Sequence, residues 1–103
     1  ELVRMLEREF GEHHYGRVDL ELLRGQKEKA IAYFGSKNTT KVLDWPVVRR
    51  ENTDGEKMFL GDIGWLLVRI SGTEEMLRVY AETTRAETTR RVLDEVCATV
   101  KRL

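Results

Sequence analysis

With 103 residues, the chain has room for one compact domain and little more, and its hydrophobic fraction of 41% is enough to supply a core of that size. Charged residues reach 35%, yet Lys+Arg and Asp+Glu are both 18. Zero net charge argues against a general polyanion binder, because nonspecific nucleic-acid affinity comes from a surplus of cations, so any anion recognition is local.

One cysteine, Cys97, leaves no intrachain disulfide and fits a reducing cytosol. It falls on the apolar face of a predicted helix, where a thiol is buried filler rather than a nucleophile. No apolar run is long enough to span a bilayer, and no signal peptide is visible. The chain begins at Glu1 with an amphipathic stretch, which reads as a piece of something longer.

In chain order, Leu2, Val3, Leu6 and Phe10 follow helical spacing up to Gly11, which predicts a first helix over 1–10. Gly11 to Gly16 reads as a linker, with His13 and His14 as ordinary linker residues or a hydrogen-bonding pair at a hinge. Adjacent side chains rarely bind one metal together, and no ligand-spaced Cys or acidic cluster accompanies them. Val18, Leu20 and Leu22 alternate with charged residues, as in a half-buried strand. A short helix is predicted from Gln26 to Phe34, with Ala30, Ile31 and Phe34 inward, and a polar loop runs from Gly35 to Thr40. Lys37, Asn38 and Lys41 make this loop mildly basic, and it reads as solvated. Val42 to Asn52 is extended, with Pro46 marking an edge position or a bulge. Asp54-Gly55 signals a turn into the strand Lys57–Leu60, and Gly61 to Gly64 a second turn. Trp65 to Ile70 is nearly continuous apolar sequence and predicts a central strand. Leu77 to Glu82 alternates, placing Arg78, Tyr80 and Glu82 on one face, so that Tyr80 lines a cleft with Arg78 or packs under a helix. Finally, Thr84 and Glu87 have capping-box spacing before a stripe of Val92, Leu93, Val96, Cys97, Val100 and Leu103. Trp45 and Trp65 read as packing residues.

This order predicts an α+β domain: an antiparallel sheet of four to five strands with two helices packed on one face.

The chemistry concentrates in Arg69-Ile70-Ser71-Gly72-Thr73-Glu74, followed by Arg78. A guanidinium fork offers phosphate two parallel hydrogen bonds, and Ser71 and Thr73 add hydroxyl donors. Gly72 removes the Cβ where backbone must approach an anion, and successive N–H groups in such a turn form an anion nest. Arg69 and Arg78 flank the loop on neighbouring strands. By spacing alone, a serine-glycine turn with exposed arginines is the simpler reading.

The run from Gly64 to Glu82, Gly-Trp-Leu-Leu-Val-Arg-Ile-Ser-Gly-Thr-Glu-Glu-Met-Leu-Arg-Val-Tyr-Ala-Glu, resembles the C-terminal signature of the α-D-phosphohexomutases, GW-x-L-x-RPSGTEP-x-x-R-x-Y-x-E. That family includes phosphoglucomutase/phosphomannomutase and phosphoglucosamine mutase. The resemblance covers roughly Asp54 to Glu82. It implies a TATA-binding-protein-like fold and the fourth domain of a four-domain cytoplasmic enzyme. It also implies a phosphate-binding loop made of Arg69, Ser71, Gly72, Thr73 and Arg78, with Glu74 supporting the loop, that grips the phosphate remote from the one transferred. The implied partners are a phosphosugar and the preceding domains of the same polypeptide, with neither nucleic acid nor membrane. Residues 1–16 then resemble the end of the preceding domain's helix plus a hinge, and 17–103 the C-terminal domain. The family's phosphoserine loop and Mg²⁺ loop do not occur here, so the fragment carries no catalytic residue or metal ligand, and Mg²⁺ is expected in the parent. Ile70 and Glu75 replace the family's two loop prolines, which predicts a less rigid loop. The alternatives are a stand-alone phospho-ligand module or an interaction domain without mutase activity.

Overall fold

A computed structural model describes residues 3–10 (as backbone), 13–22, 25–71 and 76–103. The elements are β1 (Val3–Phe10), β2 (His13–Glu21), α1 (Gln26–Gly35), β3 (Lys41–Val42), β4 (Trp45–Glu51), β5 (Glu56–Leu60), β6 (Gly64–Ile70), β7 (Met76–Thr83) and α2 (Ala86–Arg102). Among the described residues, six antiparallel strands form one sheet in the order β1-β2-β7-β6-β5-β4, and the two-residue β3 continues it along β4.

The α+β class stands, but the sheet exceeds the predicted four to five strands, and the difference lies at the N-terminus. Residues 3–10 are a strand, not a helix, paired to β2 from Val3↔Leu20 to Phe10↔His13. Residues 13–16, read as linker, belong to β2, which runs through the expected boundary between 16 and 17. The physical reason is tertiary. Without β1, the whole length of β2 would present an unpaired edge, and eight residues of ladder outweigh a weak helical spacing. Gly11 and Glu12, the start of the expected linker, lie outside the described residues.

Alternation and register divide the sheet into two faces. On one, Val18 and Leu20 of β2, Leu77, Val79 and Ala81 of β7, Leu66 and Val68 of β6, and Met58 and Leu60 of β5 are fully buried. Helix α2 covers the β2–β7 half of this face and α1 the β5–β6 half. They contribute Val92, Leu93, Val96 and Val100 from α2, and Ala30 and Phe34 from α1. Trp65 to Ile70 is therefore covered on one side only: Leu66 and Val68 are buried, while Trp65 and Leu67 are half-buried on the opposite face.

The predicted capping box does not form. Helix α2 starts at Ala86 with Arg85 as N-cap and no side-chain cap bond. Instead Thr83 Oγ1 accepts from Arg85 N–H at 3.2 Å, and Thr89 Oγ1 donates to the His14 carbonyl at 2.7 Å, tying the first turn to β2 and β7. A cap is worth about 1 kcal/mol, whereas each large apolar side chain buried from α2 contributes about 1.5–3 kcal/mol. Packing therefore sets where this helix begins.

Helix α1 has no basic residue in its last turn, and a helix C-terminus leaves its final carbonyls without intrahelical partners. Arg50 of β4 fills that role from the covered face. Its Nη1 donates to Phe34 O at 2.6 Å, and its Nη2 donates to Ser36 O at 3.0 Å and to Thr39 O. Arg50→Met keeps the aliphatic stem but strands three carbonyls. The expected loss is about 2–4 kcal/mol, from charge-assisted bonds to partly buried acceptors, read by urea denaturation. A loss below about 0.5 kcal/mol, the range of ordinary surface substitutions, would show that the loop after α1 holds itself.

Candidate anion site on the open sheet face

The face turned away from both helices carries four cross-strand rows. The first is Tyr15, Glu82, Trp65, Phe59 and Arg49; the second is Arg17, Tyr80, Leu67, Lys57 and Glu51; the third is Asp19, Arg78 and Arg69; the fourth is Glu21 and Met76. In register, β1 sets Arg8 opposite Tyr15, Leu6 opposite Arg17 and Arg4 opposite Asp19. Tyr80 thus lies on the side of the sheet opposite the helices and shares that side with Arg78, 6.3 Å from Tyr15 between ring centroids. Trp65 is also here, half-buried, with Nε1–H donated to Glu82 Oε2 at 2.9 Å. The other oxygen of Glu82 lies 4.0 Å from His13 Nδ1. Trp45 is half-buried at the start of β4, with Arg91 5.7 Å from its ring.

Most cations of this face are already engaged. Arg49 lies 4.1 Å above the Phe59 ring, and Lys57 sits 5.1 Å from Phe59 and 4.5 Å from Trp65. Arg17 Nη2 is 3.3 Å from Asp19 Oδ2. Among the described side chains, Arg69 and Arg78 remain. They are directly opposite each other on β6 and β7. Among the described residues, neither has a carboxylate or a ring as partner. Arg69 is exposed and Arg78 half-buried, with its Nε buried and unpartnered.

Like charges directly opposite in an antiparallel pair destabilise it, since Cβ atoms there are about 5 Å apart. Two guanidinium groups in that register, neither ion-paired among the described residues although Asp19 is directly opposite Arg78 on β2, can together receive a multivalent anion. Ser71 follows Arg69 at the end of β6, is half-buried, and donates its N–H to Met76 O at 3.0 Å, closing the β6–β7 hairpin. The structure therefore brings Arg69, Ser71 and Arg78 to one end of one hairpin. Gly72, Thr73, Glu74 and Glu75 lie outside the described residues. Ile70 is 40% exposed at the strand end, on the opposite side of β6 from Arg69.

Sequence reasoning missed the rings and carboxylates that occupy the other cations, and with them Asp19. The alternation of Val18, Asp19 and Leu20 places Asp19 away from the core, but its position beside Arg78 depends on strand order.

A family model described as "Phosphoglucomutase/phosphomannomutase, C-terminal domain" matches residues 25–99, well over half of the chain. A 44-residue stretch is 43% identical to a protein of Thermococcus kodakarensis called "Phosphoglucomutase/phosphomannomutase". That stretch covers 43% of this chain and 9% of the relative's length.

Proposed function

Because the chain belongs to the phosphoglucomutase/phosphomannomutase family, through its C-terminal domain, we propose that it is the substrate-phosphate clamp of a hexose-phosphate mutase. The parent enzyme interconverts hexose 1-phosphate and hexose 6-phosphate through a phosphoserine and a bisphosphorylated sugar. The serine and the Mg²⁺ site belong to preceding domains of a cytoplasmic polypeptide, and this chain alone does not catalyse. The TATA-binding-protein-like arrangement is part of the same proposal.

The observation that carries it is the Arg69–Arg78 pair, two directly opposed guanidinium groups with no ion-pair partner among the described residues, at the end of the hairpin that Ser71 closes. A phosphate monoester has nearly two negative charges near neutral pH and takes a fork from each arginine. Ser71, and Thr73 with the Gly72 backbone, supply further donors, with Glu74 supporting the loop. A clamp that reads phosphate rather than sugar serves both orientations of the bisphosphate as it turns over between half-reactions. Binding energy spent on the remote phosphate also orients the reacting end.

The test is an NMR titration of this chain at low salt with glucose 1,6-bisphosphate, with glucose as the control. Expected are amide shifts confined to Arg69, Ser71 and Arg78 and the loop between them, from the bisphosphate alone. Equal shifts with glucose, or bisphosphate shifts elsewhere on the sheet, would overturn the reading.

A further inference from the structure

We infer that Asp19 becomes the positioning residue of this anion site when phosphate binds: its Oδ1, without a hydrogen-bond partner in the free chain, then accepts the Nε–H of Arg78 and holds the guanidinium fork toward the phosphate. The inference rests on the phosphate-clamp reading and extends it to a residue outside the loop.

Asp19 is 8% exposed, although it sits on the face away from both helices. One of its oxygens is engaged, since Oδ2 is 3.3 Å from Arg17 Nη2. The other, Oδ1, is buried without a hydrogen-bond partner. The residue directly opposite on β7 is Arg78, whose Nε is likewise buried without a partner. The next residue in the row is Arg69. A buried carboxylate oxygen without a donor and, on the residue directly opposite, a buried N–H without an acceptor are two desolvation costs that one bond would remove once the Arg78 side chain turns to make it.

The shape of the guanidinium explains why the bond suits anion binding. Its five N–H groups lie in one plane, so donating Nε–H at the inner edge leaves both terminal nitrogens as a fork. Arginine has several rotatable bonds, and fixing its inner end removes part of the ordering cost that phosphate would otherwise bear. Asp19 is itself held by Arg17, so once the bond to Arg78 forms, the linked side chains Arg17, Asp19 and Arg78 steady the half-buried arginine of the pair.

The opposing effect makes the inference sharp. A carboxylate near an anion site repels the anion, so charge alone predicts that removing Asp19 tightens phosphate binding. Positioning predicts the reverse.

The experiment titrates the chain with inorganic phosphate and follows backbone amides together with the Arg78 Nε–H resonance. In the unmodified chain, phosphate should move Arg78 Nε–H downfield and slow its exchange with water. Asp19→Val, which removes charge and acceptor, should weaken phosphate binding roughly five- to twentyfold, the loss of one charge-assisted contact. Asp19→Asn keeps a neutral acceptor and should recover part of that loss. Tighter or unchanged binding in Asp19→Val overturns the role of Asp19 while leaving the clamp intact. If Asp19→Val does not fold, an Arg78 Nε–H resonance that phosphate leaves unmoved overturns the role by itself. Absence of amide shifts at Arg69, Ser71 and Arg78 in the unmodified chain overturns the clamp and this inference together.

Discussion

Arg78→Gln is expected to weaken binding of glucose 1,6-bisphosphate by roughly 10- to 100-fold, the loss of one charge-assisted, two-pronged contact. Arg69→Gln should cost less. Arg69 is exposed and Arg78 half-buried, and a charge closer to protein than to water interacts more strongly with its ligand. Arg78→Lys should fall between, because it keeps the charge but loses the planar fork. The diagnostic feature is the split between function and stability. The two arginines are opposed in register and neither is ion-paired among the described residues, so Arg78→Gln relieves a repulsion in the free protein. Thermal stability should stay within about 0.5 kcal/mol or rise, while affinity falls. Raising the salt from about 0.01 M to 1 M shortens the Debye length from about 30 Å to 3 Å and should erode the unmodified chain's affinity more than the variant's. Isothermal titration at two ionic strengths, with a melting curve for each variant, reads both quantities. Loss of stability in step with affinity would make Arg78 a structural residue and remove the main support for the clamp.

The sequence discloses those parts of the fold that are set by one strong local pattern. The stripe of Val92, Leu93, Val96 and Val100 is buried along α2 as its period requires, and the alternation of β7 puts Leu77, Val79 and Ala81 in the core with Arg78 and Tyr80 opposite. Pro46 falls in β4, the last strand of the six, with a register shift between Val47 and Arg49. What stays hidden depends on partners far along the chain. Residues 3–10 fit a helix or a strand about equally, and the exposed edge of β2 decides between them. The three carbonyls that Arg50 holds are 11 to 16 residues distant from it, beyond any motif. At the candidate site, Arg69, Ser71 and Arg78 are legible from their spacing, but that neither arginine is paired with a carboxylate or ring among the described residues is not. It follows from register, which sets Arg49 and Lys57 over aromatic rings and Arg17 beside Asp19.

The hairpin that presents the two arginines also depends on a position far from them, where Gly64→Ala is expected to cost roughly 3–5 kcal/mol through backbone strain and overpacking together. Gly64 opens β6 with φ +155°, a region that L side chains rarely adopt, and pairs with Thr83 of β7. A Cβ there would stand 1.9 Å from the Glu82 carbonyl oxygen and 2.8 Å from both Glu82 C and Thr83 Cα. All three contacts are backbone, so no rotamer change relieves them; β6 and β7 must separate at this end or the chain must change conformation. Gly25 provides the control. It also has positive φ, at +88°, but nothing lies within 4 Å of its would-be Cβ. Gly25→Ala should therefore lose about 1–2 kcal/mol, the left-handed penalty alone. At about 4–8 °C per kcal/mol for a domain of this size, the two variants should melt several degrees to tens of degrees apart. The indole bond from Trp65 to Glu82 adjoins the strained pair, so Trp65 emission should shift in Gly64→Ala and stay unchanged in Gly25→Ala. Equal melting temperatures would mean that β6 and β7 part easily at this end. The register that opposes Arg69 to Arg78 would then be held by the remainder of the ladder and by Ser71 at the hairpin, and phosphate affinity would survive the substitution.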